Sequence, residues 1–176
     1  MTNYKLLLIT SFLTAVLLGI FSPLWTVKLL AIGGAERLGL NIGIMLLAHA
    51  AASFLGGRWL KAEWKWYAGV LAFLGLSILA FAYVETQGML FIVQMINGLA
   101  VGSYILMETM MFVKYSKTTL VQVSLGNYRA WITVATAIAL IGGSFAFTQA
   151  IIPAIAGSLI IISSLVSYIK RSPLIK

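Results

Sequence analysis

The segment from residue 90 to residue 113 constrains the fold most, because it is long and apolar and yet contains Gln94, Asn97, Tyr104 and Glu108. A helix needs about 20 apolar residues to cross a bilayer, so this segment is long enough to span one. At about 100° per residue, its four polar side chains share one face of the helix. Because a charge facing lipid costs about 3 kcal/mol or more, we predict that other helices or a partner subunit shelter this face.

The rest of the chain is also strongly apolar. Hydrophobic residues make up 61% of the 176 residues and charged residues 9%, and the mean hydropathy is +1.03. Soluble domains are far more polar than this. The connections between the apolar segments are short and leave no room for a soluble domain. We therefore predict an all-α integral membrane protein, a single domain over residues 1–176, with six transmembrane helices at 6–27, 38–57, 66–84, 90–113, 130–147 and 154–169.

The lysines and arginines predict how these helices are oriented in the membrane, because cytoplasmic loops carry an excess of both residues. If the N-terminus is cytoplasmic, ten of the twelve cations fall on the cytoplasmic side and two, Lys28 and Arg37, fall outside. We therefore predict a multi-pass protein of the cell (inner) membrane with both termini in the cytoplasm. The ten cytoplasmic cations are Lys5, Arg58, Lys61, Lys65, Lys114, Lys117, Arg129, Lys170, Arg171 and Lys176.

The types of residue present argue against several classes of function. The chain has no cysteine and one histidine, and its four acidic residues are all glutamates. Metal centres and most catalytic sites need clusters of such residues, and no phosphate-binding motif is present. The cations lie in short loops and form no long basic run of the kind that binds nucleic acid. We expect no enzyme activity, no metal or other cofactor, and no nucleic-acid partner.

Three ionisable residues are candidates for proton coupling, namely Glu108, His49 and Arg129. Acids inside membrane helices often carry protons or bind ligands. The alternative for Glu108 is a structural ion pair, for instance with Arg129 from the next helix. His49 is of a type that changes charge near neutral pH, but it can equally be a neutral hydrogen-bond donor between helices. Arg129 can equally be a cytoplasmic anchor at the start of the fifth segment.

Five residues are candidates for contact with a transported solute, namely Gln94, Asn97, Tyr104, Trp25 and Thr136. They lie on the polar faces of the first, fourth and fifth apolar segments. The amide side chains can equally form hydrogen bonds between helices, each worth about 1 kcal/mol.

Three short motifs resemble those of a known transporter family. The first is Leu-Gly-Leu-Asn-Ile-Gly at residues 38–43, where the second segment begins. The second is the pair Gly56-Gly57, which precedes the basic loop at 58–65. The third is the stretch from Gln94 to Gly98, which is followed by Gly102. Together they resemble one six-helix half of a major facilitator superfamily transporter, with glutamine in place of the family's arginine at position 94. The resemblance implies two inverted three-helix repeats, with the first and fourth helices lining a central cavity and the third and sixth at the periphery.

The same resemblance implies transport of a small solute by alternating access, which needs two such halves. The halves of that family are related by an axis along the membrane normal, so two copies inserted the same way could replace them. We therefore expect a parallel homodimer of half-transporters in the lipid bilayer, proton-coupled through Glu108. The alternative is a non-catalytic membrane subunit that packs against a larger complex or a second half-transporter. Its contact would use the small residues of the sixth segment, Gly157, Ser158, Ser163, Ser164 and Ser167.

Overall fold

The computed structural model describes residues 3–116, 121–146 and 151–169, and in these ranges the chain is entirely helical apart from short connections. A single turn of 3-10 helix, Ala35–Arg37, joins the first two α-helices, after Gly34 takes a positive φ of 70° that suits glycine. The predicted cytoplasmic cations Lys117, Lys170, Arg171 and Lys176 lie outside the described residues. The helices are α1 (Asn3–Gly33), α2 (Leu38–Trp59), α3 (Trp64–Ala82), α4 (Gln87–Tyr115), α5 (Val121–Ala146) and α6 (Ile151–Ile169).

Four stretches of helix in the described part of the chain are long and apolar enough to cross a membrane: Asn3–Gly33, Ala35–Trp59, Trp64–Ala82 and Gln87–Tyr115. The described apolar stretches of α5 and α6 are shorter, Leu125–Ile141 and Ile155–Ile169. The prediction of a helical membrane protein is confirmed at this level.

Two helices extend well beyond the apolar segments predicted for them. The predicted fifth span begins at residue 130, whereas α5 already begins at Val121. Polar residues end an apolar run but do not end a helix, whose backbone bonds are internal. Helix α1 likewise continues through Pro23 to Gly33. The limits of the apolar segments therefore predicted where these two helices lie but underestimated the lengths of α1 and α5.

The start of α1, the end of α4 and the start of α5 meet at one end of the bundle, which we call the N-terminal end. The ring of Phe112 lies 5.8 Å from that of Tyr4 and stacks at 4.5 Å on that of Tyr128. The start of α3 lies there too, because Trp64 stacks on Tyr115 with ring centroids 5.9 Å apart.

The opposite end collects the end of α1, the start of α2, the end of α3 and the start of α4. There the Lys28 ammonium donates to the backbone carbonyls of Phe81 and Ala82, each at 2.9 Å. These carbonyls close α3, so the cation also meets the negative end of a helix dipole. Nε2 of Gln87 donates to Oδ1 of Asn41 at 3.4 Å and joins α4 to α2. Consecutive helices therefore alternate in direction.

The helix pairs show an internal regularity. The most extensive contacts join α2 to α4, α1 to α5 and α3 to α6, and smaller ones join α3 to α4 and α1 to α6. This pattern is unchanged when α1, α2 and α3 are exchanged with α4, α5 and α6. The α3–α6 crossing is itself reciprocal, because a Cβ added to either Gly75 or Gly157 would lie 2.7 Å from the other's carbonyl oxygen.

The small residues of α6 are used inside this chain. Gly157, Ser163, Ser164 and Ser167 are buried, and the Ser164 hydroxyl donates to the Ala68 carbonyl of α3 at 2.6 Å. Helix α6 therefore runs antiparallel to α3 and ends at the N-terminal end, where α1 begins. Four of the five small residues suggested for contact with a foreign subunit are buried within this chain, whereas Ser158 is exposed.

Candidate functional site

The carboxylate of Glu108 lies inside the bundle, with 1% of its side chain exposed. The Tyr104 hydroxyl, one helical turn earlier on α4, donates to Oε1 at 2.6 Å. The Arg129 guanidinium of α5 reaches Oε2, with Nη1 at 3.1 Å. Both carboxylate oxygens therefore have a partner, as a buried charge requires. The sequence candidates Tyr104, Glu108 and Arg129 form one connected group.

Arg129 has further partners besides Glu108. Its Nη2 donates to the Thr109 hydroxyl and, at 3.5 Å, to the Ile105 carbonyl. Its side chain is 35% exposed, so the guanidinium joins the buried carboxylate to the surface of the bundle. Loss of the ion pair would leave this cation partly solvated and still bonded.

A second group of hydroxyls extends this network toward α1 and α3. The Tyr67 hydroxyl lies 3.2 Å from Oγ1 of Thr10 and 3.3 Å from Oγ of Ser11. The Tyr67 ring is 6.5 Å from that of Tyr104. All these residues are buried. With Glu108, Tyr128 and Arg129, they form what we call the polar cluster.

Tyr128 completes the polar cluster and was not predicted from the sequence. The residue is 6% exposed, its ring stacks on Phe112, and its hydroxyl lies close to Ser11 and Glu108. Among the described residues this hydroxyl has no hydrogen-bond partner of normal geometry. Buried hydroxyls nearly always have one, so Tyr128 has a hydrogen bond still to make.

Replacement of Arg129 tests how much the stability of the fold depends on its ion pair with the buried Glu108 carboxylate. We expect Arg129→Gln to lower the free energy of unfolding by about 3 kcal/mol, near the low end for broken buried pairs because Arg129 is partly exposed. The double variant Glu108→Gln with Arg129→Gln should recover at least half of that loss, since no unpaired charge remains. Thermal unfolding of the purified protein in detergent measures both. Equal stability of the single and double variants would contradict this account.

Besides Tyr104, three of the predicted solute-binding residues form hydrogen bonds between helices. Nε1 of Trp25 donates to Oε1 of Gln94 at 3.2 Å, while Nε2 of Gln94 is buried and without a partner in the described part of the chain. Asn97 accepts a bond from the Ser77 hydroxyl of α3 at 3.1 Å. Gln94 and Asn97 therefore both form bonds between helices, the alternative considered for them, and Nε2 of Gln94 is left as a donor without a partner among the described residues.

Thr136 and His49 lie apart from the polar cluster. The Thr136 hydroxyl bonds within its own helix, to the Ile132 carbonyl at 2.9 Å. His49 is half-buried on α2, and in the described chain no hydrogen bond or ion pair joins it to Glu108. The predicted solute-binding residues are therefore spread along the bundle rather than gathered around one cavity.

A cavity of 670 Å³ opens between α1 and α5 at the N-terminal end, and we call it the α1–α5 crevice. None of the five predicted solute-binding residues lines it. Sequence reasoning missed it because the crevice is largely apolar, and apolar side chains in a membrane helix give no signal of a site. Its lining residues are Tyr4, Leu8, Ile9, Phe12, Leu13, Asn127, Tyr128, Trp131 and Ile132.

Neither the protein-family models nor the curated proteins that were searched contain a match to this chain. Within the described residues, no three His, Cys, Asp or Glu side chains come together in a way that could hold a metal ion. The functional argument therefore starts from the polar cluster and the crevice beside it.

Proposed function

We propose that this protein is a half-transporter that moves a small solute by alternating access and is coupled to protons through Glu108. The observation that carries the proposal is the Glu108 carboxylate, buried in a helix apolar enough to cross a membrane and held by Arg129 and Tyr104. A buried acid in such a helix is costly, so a functional role is the default interpretation.

The contacts of Arg129 suit reversible protonation of Glu108. When Glu108 takes up a proton, Arg129 keeps the Thr109 hydroxyl and the Ile105 carbonyl as acceptors and its exposed side remains solvated. The ion pair can therefore open without leaving a buried cation unpaired, which would be expensive.

The helix pairing supports the finer architecture of the proposal, a six-span bundle of two inverted three-helix repeats that resembles a major facilitator half. Exchange of the first three helices with the last three preserves the contacts, as such repeats require. In alternating access, two such bundles rock against one another around a shared site.

The described cations support an orientation in the cell (inner) membrane in which the N-terminal end of the bundle faces the cytoplasm. Lys28 and Arg37 lie at the opposite end of the bundle. The excess at the N-terminal end agrees with the usual bias of cytoplasmic loops. The described cations at that end are Lys5, Arg58, Lys61, Lys65, Lys114 and Arg129.

A parallel homodimer would supply the second half. Of the four long apolar stretches, the one that contains α2 is the least buried. Over an apolar run of 18 residues, 17% of the residues are buried in that stretch, against 50% in the stretches of α1 and of α3. Leu47 and Phe54 are among its exposed residues. A second copy in the same orientation could cover this face and enclose a chamber.

Reconstitution in liposomes tests the proposal. With an imposed pH gradient, a trapped pH-sensitive dye should report proton movement when at least one solute of a neutral, amphipathic and cationic panel is added. Native mass spectrometry from nanodiscs should show two copies. A strict monomer that moves no protons with any solute of the panel would refute the proposal. Co-purification of a larger membrane protein in fixed stoichiometry would instead favour the non-catalytic subunit.

A further inference from the structure

We propose that the α1–α5 crevice binds an uncharged, largely aromatic solute, and that Tyr128 joins this site to Glu108. The inference deepens the proposed function, on which its transport aspect rests, by naming a substrate class and the place where it binds. The crevice and the Glu108 carboxylate meet at Tyr128. Its ring lines the crevice and stacks on Phe112, one helical turn after Glu108, and the next residue along the chain, Arg129, pairs with the carboxylate.

The lining of the crevice defines the chemistry of the ligand. None of the nine lining residues among those the structure describes is charged, so an ion would lose its hydration without gaining a counter-charge. Tyr4, Phe12 and Trp131 present aromatic rings, which favour stacked and edge-on contacts with a flat ring over a flexible chain. The volume of 670 Å³ lies within the range of about 300–1,000 Å³ typical of small-molecule sites.

The Tyr128 hydroxyl is the polar anchor of this site. It is buried and lacks a hydrogen-bond partner among the described residues, whereas apolar pockets that bind specific ligands contain a few such groups. The Ser11 hydroxyl and the Glu108 carboxylate lie close to it, and a solute in the crevice would be a third candidate for its bond. A solute with a hydrogen-bonding group would compete with Glu108 for this hydroxyl, and its binding would alter the surroundings of the carboxylate.

Binding of the uncharged fluorophore N-phenyl-1-naphthylamine to the full chain in lipid nanodiscs tests the site, with empty nanodiscs subtracted. We expect saturable binding at one site per chain. Leu13→Trp, which fills the crevice, should weaken it at least tenfold. Leu76→Trp makes the same change on the exposed face of α3 and should leave it unchanged. Unsaturable binding, or equal affinity of both variants, would overturn the proposal.

Competition with oleyl alcohol distinguishes a solute site from a lipid site. At equal concentration this uncharged long-chain alcohol, which mimics a lipid tail, should displace less than half of the fluorophore. Complete displacement would identify the crevice as an acyl-chain site and overturn the aromatic assignment.

The link through Tyr128 has its own test, a double-mutant cycle with Glu108→Gln. The effect of Glu108→Gln on fluorophore affinity should disappear in the Tyr128→Phe background. It should persist in the Tyr4→Phe background, because Tyr4 lines the same crevice but no hydrogen bond or ion pair among the described residues joins it to Glu108. Additive effects of Tyr128→Phe and Glu108→Gln would refute the link.

These measurements use no pH gradient, so they separate the site from transport. Specific fluorophore binding without solute-dependent proton movement would support the binding site and refute the transport function. Proton movement that Leu13→Trp does not affect would support the transport function and refute a role of the crevice in it.

Discussion

Replacement of Glu108 by glutamine is expected to abolish proton-driven transport while the protein stays folded. The amide keeps the size of the side chain and can still accept the bond from Tyr104, but it cannot take up or release a proton. We expect the solute-dependent proton flux into liposomes to fall by at least about 100-fold, comparable to the loss of an essential acid or base. Because Arg129 keeps two other acceptors and is partly exposed, the free energy of unfolding in detergent should fall by no more than about 1–2 kcal/mol.

Glu63→Gln is the matched control for this prediction. It removes the same charge at the N-terminal end, from an exposed pair in which Lys65 Nζ lies 3.2 Å from the carboxylate. Exposed pairs contribute about 0–1 kcal/mol, so this variant should transport and unfold like the original protein. Flux at the original rate in Glu108→Gln would show that Glu108 is structural. A loss of the same size in both variants would point to surface charge instead.

The shelter of Glu108 illustrates how far the sequence could lead. Its spacing from Gln94, Asn97 and Tyr104 predicted a polar face turned away from lipid, and the structure buries all four of these side chains. The spacing could not tell whether helices of the same chain or a partner provide the shelter. That depends on tertiary packing, and the described helices of this chain provide it.

The roles of Tyr67 and Tyr128 in the polar cluster could not be predicted from the sequence. Tyr67 lies one residue inside the predicted third span and Tyr128 two residues before the predicted fifth, and tyrosines are common at such membrane boundaries. Their roles follow from the starts of α3 and α5, which bring them to the level of Ser11 and Glu108. Periodicity describes one helix at a time and is silent on which faces meet.

The glycines of α4 lead to the second large expected effect, because they set the closest helix contact described. A Cβ at Gly98 would overlap the Met45 carbonyl oxygen of α2 and lie 2.9 Å from the Ala48 Cβ. One turn later, a Cβ at Gly102 would overlap the His49 carbonyl oxygen. Backbone atoms cannot rotate away as side chains can, so α2 and α4 would have to separate along their extensive contact. Small residues permit this approach between membrane helices.

We therefore expect Gly98→Leu to yield no folded protein, and Gly98→Ala to lower the free energy of unfolding by about 3 kcal/mol, the upper part of the range for overpacked cores. Gly69→Leu is the matched control, because Gly69 is exposed in the second turn of α3 and a Cβ there would meet nothing within 4 Å. Leucine also forms helix more readily than glycine by about 0.5–1 kcal/mol, so this variant should unfold at the original temperature or slightly above. Size-exclusion profiles and thermal unfolding in detergent measure all three variants. If Gly98→Leu elutes and unfolds like Gly69→Leu, α2 does not pack on α4 at this glycine and the bundle that surrounds Glu108 is wrong.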